Sequence, residues 1–340
     1  MFTFIVRRIL FLPVIFIGVT LFIVLLMQLL SPYERAVAFV TSEVQLRNID
    51  AIIEQYGLDD PWYVQYWNWL SQALQGNFGF SSVTNQPVLT TIAERLPNTI
   101  ELAVLTLIPT IGFGIWLGTA AALNRDRFVD QVSRVTSIFF WSLPTFVLAI
   151  WLLIIFYGGF NLFGLGQLSS NFARAIIRPE FERYTGFLTI DSILNGRFDI
   201  LWNALMHLVL PVSTLVLVIS AQIVRVMRSS LLDTLSQDYV RTARAKGLST
   251  KVVNRKHARR NALIPVLTLS GFTLVGLLNG SVIVEVIFAL PGVGKWLADA
   301  ALQLDYAGVL GGAVFVGALV VVGNLIVDIL YAVVDPRIRY

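Results

Sequence analysis

Six stretches of this chain stay apolar for about as long as a helix needs to cross a bilayer, and no other feature limits the fold as much. They cover residues 9–30, 99–123, 135–157, 204–224, 262–284 and 308–333. About 20 apolar residues in a helix span the hydrocarbon of a membrane. Inside lipid every backbone N–H and C=O needs a partner within the protein, so runs of this length are read as helices. The expectation is an all-α polytopic membrane protein with six transmembrane helices, folded as a single membrane-embedded domain over residues 1–340.

Composition agrees. The chain is 56% hydrophobic and 14% charged, where soluble proteins average roughly 25% charged residues. It has no cysteine, which excludes disulfides, thiolate metal sites and thiol catalysis. His207 and His257 are the only histidines, too few for a histidine-rich metal or proton-relay site. The first stretch follows Arg7 and Arg8 and so resembles a signal sequence. It is longer than the usual apolar core of one, and no small-residue cleavage site follows in SPYERAV, so an uncleaved anchor is expected.

Basic residues give the orientation. Arg7 and Arg8, then Arg125, Arg127 and Arg134, then a dense run at 238–265, then Arg337 and Arg339 all fall on one side of a six-span chain. Short basic loops stay cytoplasmic, which predicts a multi-pass membrane protein with both termini inside. The segment 31–98 is then extracytoplasmic, and 225–261 is a cytoplasmic loop.

Ionisable residues in the spans are few. Glu101 follows Asn98 by three, the spacing of a capping box at the start of the second span. Asp328, with Asn324 one turn away, sits near the end of the sixth; Glu285 and His207 fall near outer ends. No span carries a midplane Asp, Glu or Lys, which argues against an ion-coupled secondary transporter. No nucleophile–base or carboxylate–histidine set suggests a membrane enzyme. ALPGVGK, residues 289–295, lacks the first glycine of a phosphate loop and has Trp296 where Ser or Thr should follow the lysine, so a turn or short helix is expected there. WYVQYWNWL, residues 62–70, has the aromatic density of an interfacial amphipathic helix and is a second, weaker choice for a binding-protein docking surface. Gly114/Gly118, Gly276/Gly280 and Gly308/Gly312 are GxxxG pairs that permit close helix packing.

The basic run is DYVRTARAKGLSTKVVNRKHARRNALIP, residues 238–265. Arg241, Arg244, Lys246, Lys251, Arg255, Lys256, Arg259 and Arg260 share it with one acid, Asp238. A cytoplasmic location accounts for the sign of this charge, not for its pattern. Tyr239, Val240 and Ala243 form a small apolar helical face, Gly247 fits a left-handed helix end, and Ser249 fits the cap of a second helix through Val252 and Val253. Pro265 falls just inside the fifth span. The run lacks interleaved aromatics and is tethered to the membrane at both ends, so nucleic acid is not expected as a partner, whereas anionic lipid is.

DYVRTARAKGLS followed by His257 and the run Arg260, Asn261, Ala262, Leu263, Ile264, Pro265 resembles the cytoplasmic signature loop of ABC-importer permease subunits, specifically the dipeptide/oligopeptide branch. Ala243 and Gly247 match the general form of that loop, while Arg241 and Thr242 replace its leading Glu-Ala, as in the peptide branch. FIVRRILFLPVIFIGVTLFIVLL, the GLDDP segment, VIFALPGVGKWLADAALQLDY and NLIVDILYAVVDPRIRY resemble other parts of that family in order along the chain. The resemblance implies a type I ABC importer permease fold in a prokaryotic inner membrane and a pathway formed with a second, usually different, permease chain. It also implies two cytoplasmic ATPase subunits and an extracytoplasmic solute-binding protein. The cargo implied is peptide, with oligosaccharide or another small solute as the alternative. No cofactor is implied, and ATP hydrolysis belongs to the partners. Asp238, Tyr239, Val240, Arg241, Thr242, Ala243, Arg244, Ala245, Lys246 and Gly247 would be the ATPase-coupling element, with Ala243 facing the ATPase cleft.

Overall fold

The computed structural model describes residues 2–37 and 48–334. Glu43, Arg47, Arg337 and Arg339 lie outside them, as do the side chains of Arg7, Arg8 and Asp328. In order the helices are α1 (Phe2–Met27), α2 (Pro32–Val37), α3 (Ile49–Tyr56), α4 (Trp62–Leu74), α5 (Val88–Leu123), α6 (Phe128–Ser142), α7 (Thr145–Leu152), α8 (Ser170–Ala175) and α9 (Leu188–Leu194). They continue as α10 (Phe198–Leu235), α11 (Asp238–Ala245), α12 (Thr250–Val252), α13 (Arg259–Gly280), α14 (Val282–Ile287), α15 (Val293–Leu302) and α16 (Tyr306–Val334). A two-residue antiparallel hairpin, β1 (Phe80–Ser81) with β2 (Gln86–Pro87), precedes α5 and pairs Phe80 with Pro87.

The six apolar stretches fall on α1, α5, the α6–α7 pair, α10, α13 with α14, and α16. Among the described residues, α5, α10, the continuous run Thr250–Leu277 and Tyr306–Leu325 of α16 are long and apolar enough to cross a membrane. The pair Phe128–Ser142 and Thr145–Gly159 passes the same test together but is bent by 101°. The bend has a local cause. Pro144 has no N–H to continue α6, Leu143 before it is extended, and Pro144 then starts α7 by accepting from the Val147 N–H at 3.0 Å. A π-helical turn, Leu153–Gly159, continues α7.

α5 begins at Val88, well before the expected start of the second span. Its extra turns bury Val88 and Ile92 against Val293 and Trp296. Asn98 and Glu101 are therefore inside a helix, and the expected capping box is not there. Asn98 Nδ2 instead donates to the Pro291 carbonyl at 2.9 Å.

The described residues form two compact units. One is drawn from Met1–Thr99 and Pro291–Leu325. Besides the Trp296 cluster it packs Val24, Leu310 and Val314 around Tyr66 and Trp69. Asp305 caps α16 through the Gly308 N–H at 2.9 Å and accepts from the Ser81 hydroxyl, and Ser81 accepts from Trp296 Nε1 at 3.2 Å. The other is drawn from Ile100–Leu290 and Ile326–Arg339 and is centred on α10. Leu208, Leu210 and Leu215 pack with Leu102, Leu277 and Phe288; further along, Ile223, Met227 and Leu231 pack with Ala258, Ala262 and Val266.

Candidate functional site

The basic run folds as two helical pieces with a break, all within the α10-centred unit. α11 starts after Gln237, with Asp238 in its first turn, where a carboxylate suits the helix dipole. Gly247 takes φ 77°, the left-handed conformation that glycine adopts without a Cβ penalty. Its N–H donates to Arg244 O at 2.9 Å, and the Leu248 N–H reaches Ala243 O at 3.4 Å, so the carbonyls at the end of α11 are used. Ser249 then stands at the start of α12 as expected. Its carbonyl accepts from Val252 and Val253, at 2.9 and 3.0 Å, while its side chain makes no capping bond. A π-helical turn, Val253–Ala258, joins α12 to α13, which contains Pro265.

Ala243 departs from expectation. Two of the three residues of the apolar face of α11, Val240 and Ala243, do not point outward, while Tyr239 does. Val240 and Ala243 are buried against Val253, with Leu235 packed beside them. Burying side chains of this size contributes about 1.5–3 kcal/mol each for the valines, enough to fix a short helix that could not persist alone. A bond from Asn261 Nδ2 to the Tyr239 hydroxyl, 2.9 Å, ties α11 to the first turn of α13.

What remains outward is polar and cationic. Asp238, Tyr239, Arg241, Thr242, Arg244, Ala245, Lys246 and Gly247 are exposed. Arg241 makes an exposed 3.5 Å pair with Asp238; among the described residues Arg244 and Lys246 make no ion pair. The arrangement is a small projection whose Val240 and Ala243 are used by the fold itself. Chemically it can present positive charge and one tyrosine edge to a partner.

Among the described residues, the others singled out by sequence sit in separate structural contacts. Glu101, 6% exposed, accepts from the backbone N–H of Thr189 at 2.8 Å and from its hydroxyl, and so holds the first turn of α9. His207 places Nδ1 2.8 Å from Asn203 O, and Glu285 accepts from the Ser281 hydroxyl at 2.9 Å. Lys295 pairs with Asp299 at 2.6 Å on α15, which follows the turn at Ala289 (φ 53°). Trp62–Leu74 is a helix as expected, with Trp67 outward and Trp69 packed into a core cluster. Among the described residues no group of three or more His, Cys, Asp or Glu could hold a metal ion. Sequence reasoning missed the ion pair of Asp130 with Arg228 and the buried Arg35; only a three-dimensional neighbourhood reveals either.

Long apolar helices that leave Ile108 (67% exposed) and Trp116 (64% exposed) on outward faces define an α-helical multi-pass membrane protein. The description "Binding-protein-dependent transport system inner membrane component" matches residues 111–340, and the N-terminal counterpart of that description matches residues 1–103. The chain belongs to this family. It is 37% identical over 340 residues to the di/tripeptide transport system permease protein DppB of Pseudomonas aeruginosa, covering 100% of this chain and 99% of that one. It is 36% identical over 338 residues to the oligopeptide transport system permease protein AppB of Bacillus subtilis, covering 99% of each. It is 39% identical over 297 residues to the probable D,D-dipeptide transport system permease protein DdpB of Escherichia coli, covering 86% of each.

Proposed function

We propose that this chain is a permease subunit of an ATP-driven, solute-binding-protein-dependent importer of peptides. The observation that carries the reading is similarity from end to end with permease proteins of di/tripeptide and oligopeptide transport systems. In this reading the whole chain is one transmembrane domain that forms the pathway with a second permease chain. A solute-binding protein delivers cargo outside, and two ATPase subunits bind inside and perform the hydrolysis. Both termini and the loop 225–261 are cytoplasmic, and 31–98 is extracytoplasmic. Asp238 through Gly247 form the element that seats in the ATPase cleft, through the exposed cationic side of α11 rather than through Ala243.

The test is uptake into vesicles that carry the whole complex. With binding protein present, ATP should drive accumulation of labelled di- and tripeptides. Accumulation of an oligosaccharide with no accumulation of any peptide would replace the cargo assignment. Orientation is tested separately, on a chain with no native cysteine. Cysteines at Asn77, Asn171 and Gln303 should react with an impermeant thiol reagent on intact cells, and those at Asn124 and Ser249 should not. Reaction at Ser249→Cys would invert the topology.

A further inference from the structure

Arg35 is a buried cation that no carboxylate of the described residues pairs with. Its residue is 6% exposed. Nη1 donates to Gln28 Oε1 at 3.2 Å and to Gln65 Oε1 at 2.7 Å, and Nη2 donates to the Leu58 carbonyl at 3.1 Å. Nε, also buried, has no partner among the described residues. Three neutral acceptors thus hold a full positive charge, and among the described residues no carboxylate pairs with it. Burying a charge is costly unless it is both hydrogen-bonded and paired.

The neighbouring acid is committed elsewhere. Glu34 accepts from the Ser31 N–H at 2.7 Å and from its hydroxyl at 2.9 Å, and these bonds hold its carboxyl below the usual range. The surroundings of Arg35 are also fixed in place. Gln65 Nε2 donates to Leu58 O at 3.0 Å and to Asp60 O at 2.6 Å, which sets its oxygen toward the guanidinium.

Beside Arg35 is a cavity of about 180 Å³. Carboxamides of Asn68, Gln72 and Asn77 line it along with Trp69 and Leu310. Of the three guanidinium nitrogens only Nε lacks a partner among the described residues, and Nη2 beside it makes one bond, to Leu58 O. The same chain shows what the edge of these two nitrogens accepts: Arg228 uses Nε and Nη2 to hold the two carboxylate oxygens of Asp130. We propose that the cavity at Arg35 is an oxyanion-binding site, which takes one carboxylate or phosphate group carried on a molecule with an apolar portion. The carboxamides hydrogen-bond that group's carrier, and Trp69 and Leu310 cover the carbon skeleton. Two sources share this chemistry, the phosphate of a membrane lipid and a free small anion. The site does not depend on what the importer carries.

The experiment uses the full chain purified in dodecyl maltoside without phosphate. Native mass spectrometry on the wild type and on Arg35→Gln reads the lipid source: phospholipid retained by the wild type and lost from the variant assigns a lipid headgroup. The free source is read after delipidation, from the melting temperature titrated with N-acetylglycine, inorganic phosphate and, as the uncharged control, N-acetylglycinamide. The anions should stabilise the wild type, the amide should not, and Arg35→Gln should bind about tenfold more weakly or worse. Gln28→Glu covers the case in which Arg35→Gln does not fold. It places a carboxylate on the guanidinium from within, at the loss of the Gln28 Nε2 bond to Gln65 Oε1 (3.2 Å), so it should abolish the response to anions and the retention of phospholipid. The proposal is overturned if the wild type neither retains phospholipid nor responds to an anion. It is equally overturned if Gln28→Glu retains lipid and responds as the wild type does.

Discussion

Arg228 holds Asp130 by both carboxylate oxygens, Nε to Oδ1 at 2.5 Å and Nη2 to Oδ2 at 2.7 Å, across 98 residues of sequence. Asp130 is fully buried, and its Oδ2 also accepts the Asp126 N–H at 2.9 Å, which fixes the turn entering α6. The side chain of Arg228 is 21% exposed, and Arg134 stands 4.0 Å from Asp130 on its other side. This contact fastens the start of α6 to the C-terminal part of α10.

Breaking one side of the pair should cost more than removing both. Asp130→Asn leaves a guanidinium facing a neutral amide, and losing one partner of a buried pair costs about 3–5 kcal/mol. Partial exposure of Arg228 places the expected loss near the lower end. The melting temperature in detergent should fall by several degrees for Asp130→Asn, and Asp130→Asn with Arg228→Met should recover part of the fall. Equal melting of the single variant and the wild type would remove the pair from the account of stability.

Glycine spacing makes a second prediction. A Cβ at Gly118 would lie 2.7 Å from the Val224 carbonyl oxygen and 2.7 Å from Met227 Cβ, and one at Gly114 would lie 2.4 Å from Ile223 Cγ2. At Gly276 nothing lies within 4 Å. Gly118→Ala should destabilise by about 1–3 kcal/mol, the usual cost of overpacking. Gly276→Ala should change stability by less than about 0.5 kcal/mol. Thermal unfolding of the two variants side by side decides it, and similar melting would mean that α5 and α10 do not pack as described.

Those glycines show how far sequence could reach. The spacing marked Gly114/Gly118 and Gly276/Gly280 alike, because it records that a helix can be approached and not what approaches it. The long apolar helices α5, α10, α13 and α16 were legible because hydrophobicity summed over about 20 residues is a strong signal. The first turns of α5 were not, because Glu94 and Arg95 interrupt the apolar run there although Val88 and Ile92 are core. Gly247 was legible from local chemistry alone. The role of Ala243 was not. The periodicity gave α11 an apolar face, but what covers it is Val253, on the far side of the Gly247 break. Arg35 gave no signal at all, since its burial depends on Gln28, Leu58 and Gln65 converging.

The inward position of Ala243 separates two kinds of damage in the loop. Ala243→Asp should put an unpaired charge among Val240, Val253 and Leu235, at a cost of a few kcal/mol to the attachment of α11. Arg244→Glu changes only an exposed side chain and should leave melting unchanged. In pull-downs of the proposed ATPase partners, both should reduce recovery. Limited proteolysis within 238–258 should accelerate for Ala243→Asp alone. Accelerated cleavage in both variants would mean that Arg244 has a structural task.

Gly247 gives the sharpest test of the loop as a mechanical joint. Its φ of 77° is a conformation that costs a residue with a Cβ about 1–2 kcal/mol, and more for a β-branched one. Among the described residues nothing beyond its chain neighbours lies within 4 Å of where a Cβ would stand, so a substitution acts through the backbone and not through a clash. Gly247→Val should therefore reset the turn between α11 and α12 while leaving the core contacts of α10 and α13 intact. Membrane levels and melting of the bulk protein should stay near those of the wild type. ATP-dependent peptide uptake by the assembled complex should fall severalfold or more. Gly247→Asn, which tolerates the left-handed conformation better, should retain more uptake than Gly247→Val at equal expression. That ordering separates a conformational requirement from a simple need for a small residue, because Asn and Val are of similar size. If the two variants transport equally well, the left-handed turn is not what transmits motion, and the exposed cations of α11 become the part to test next.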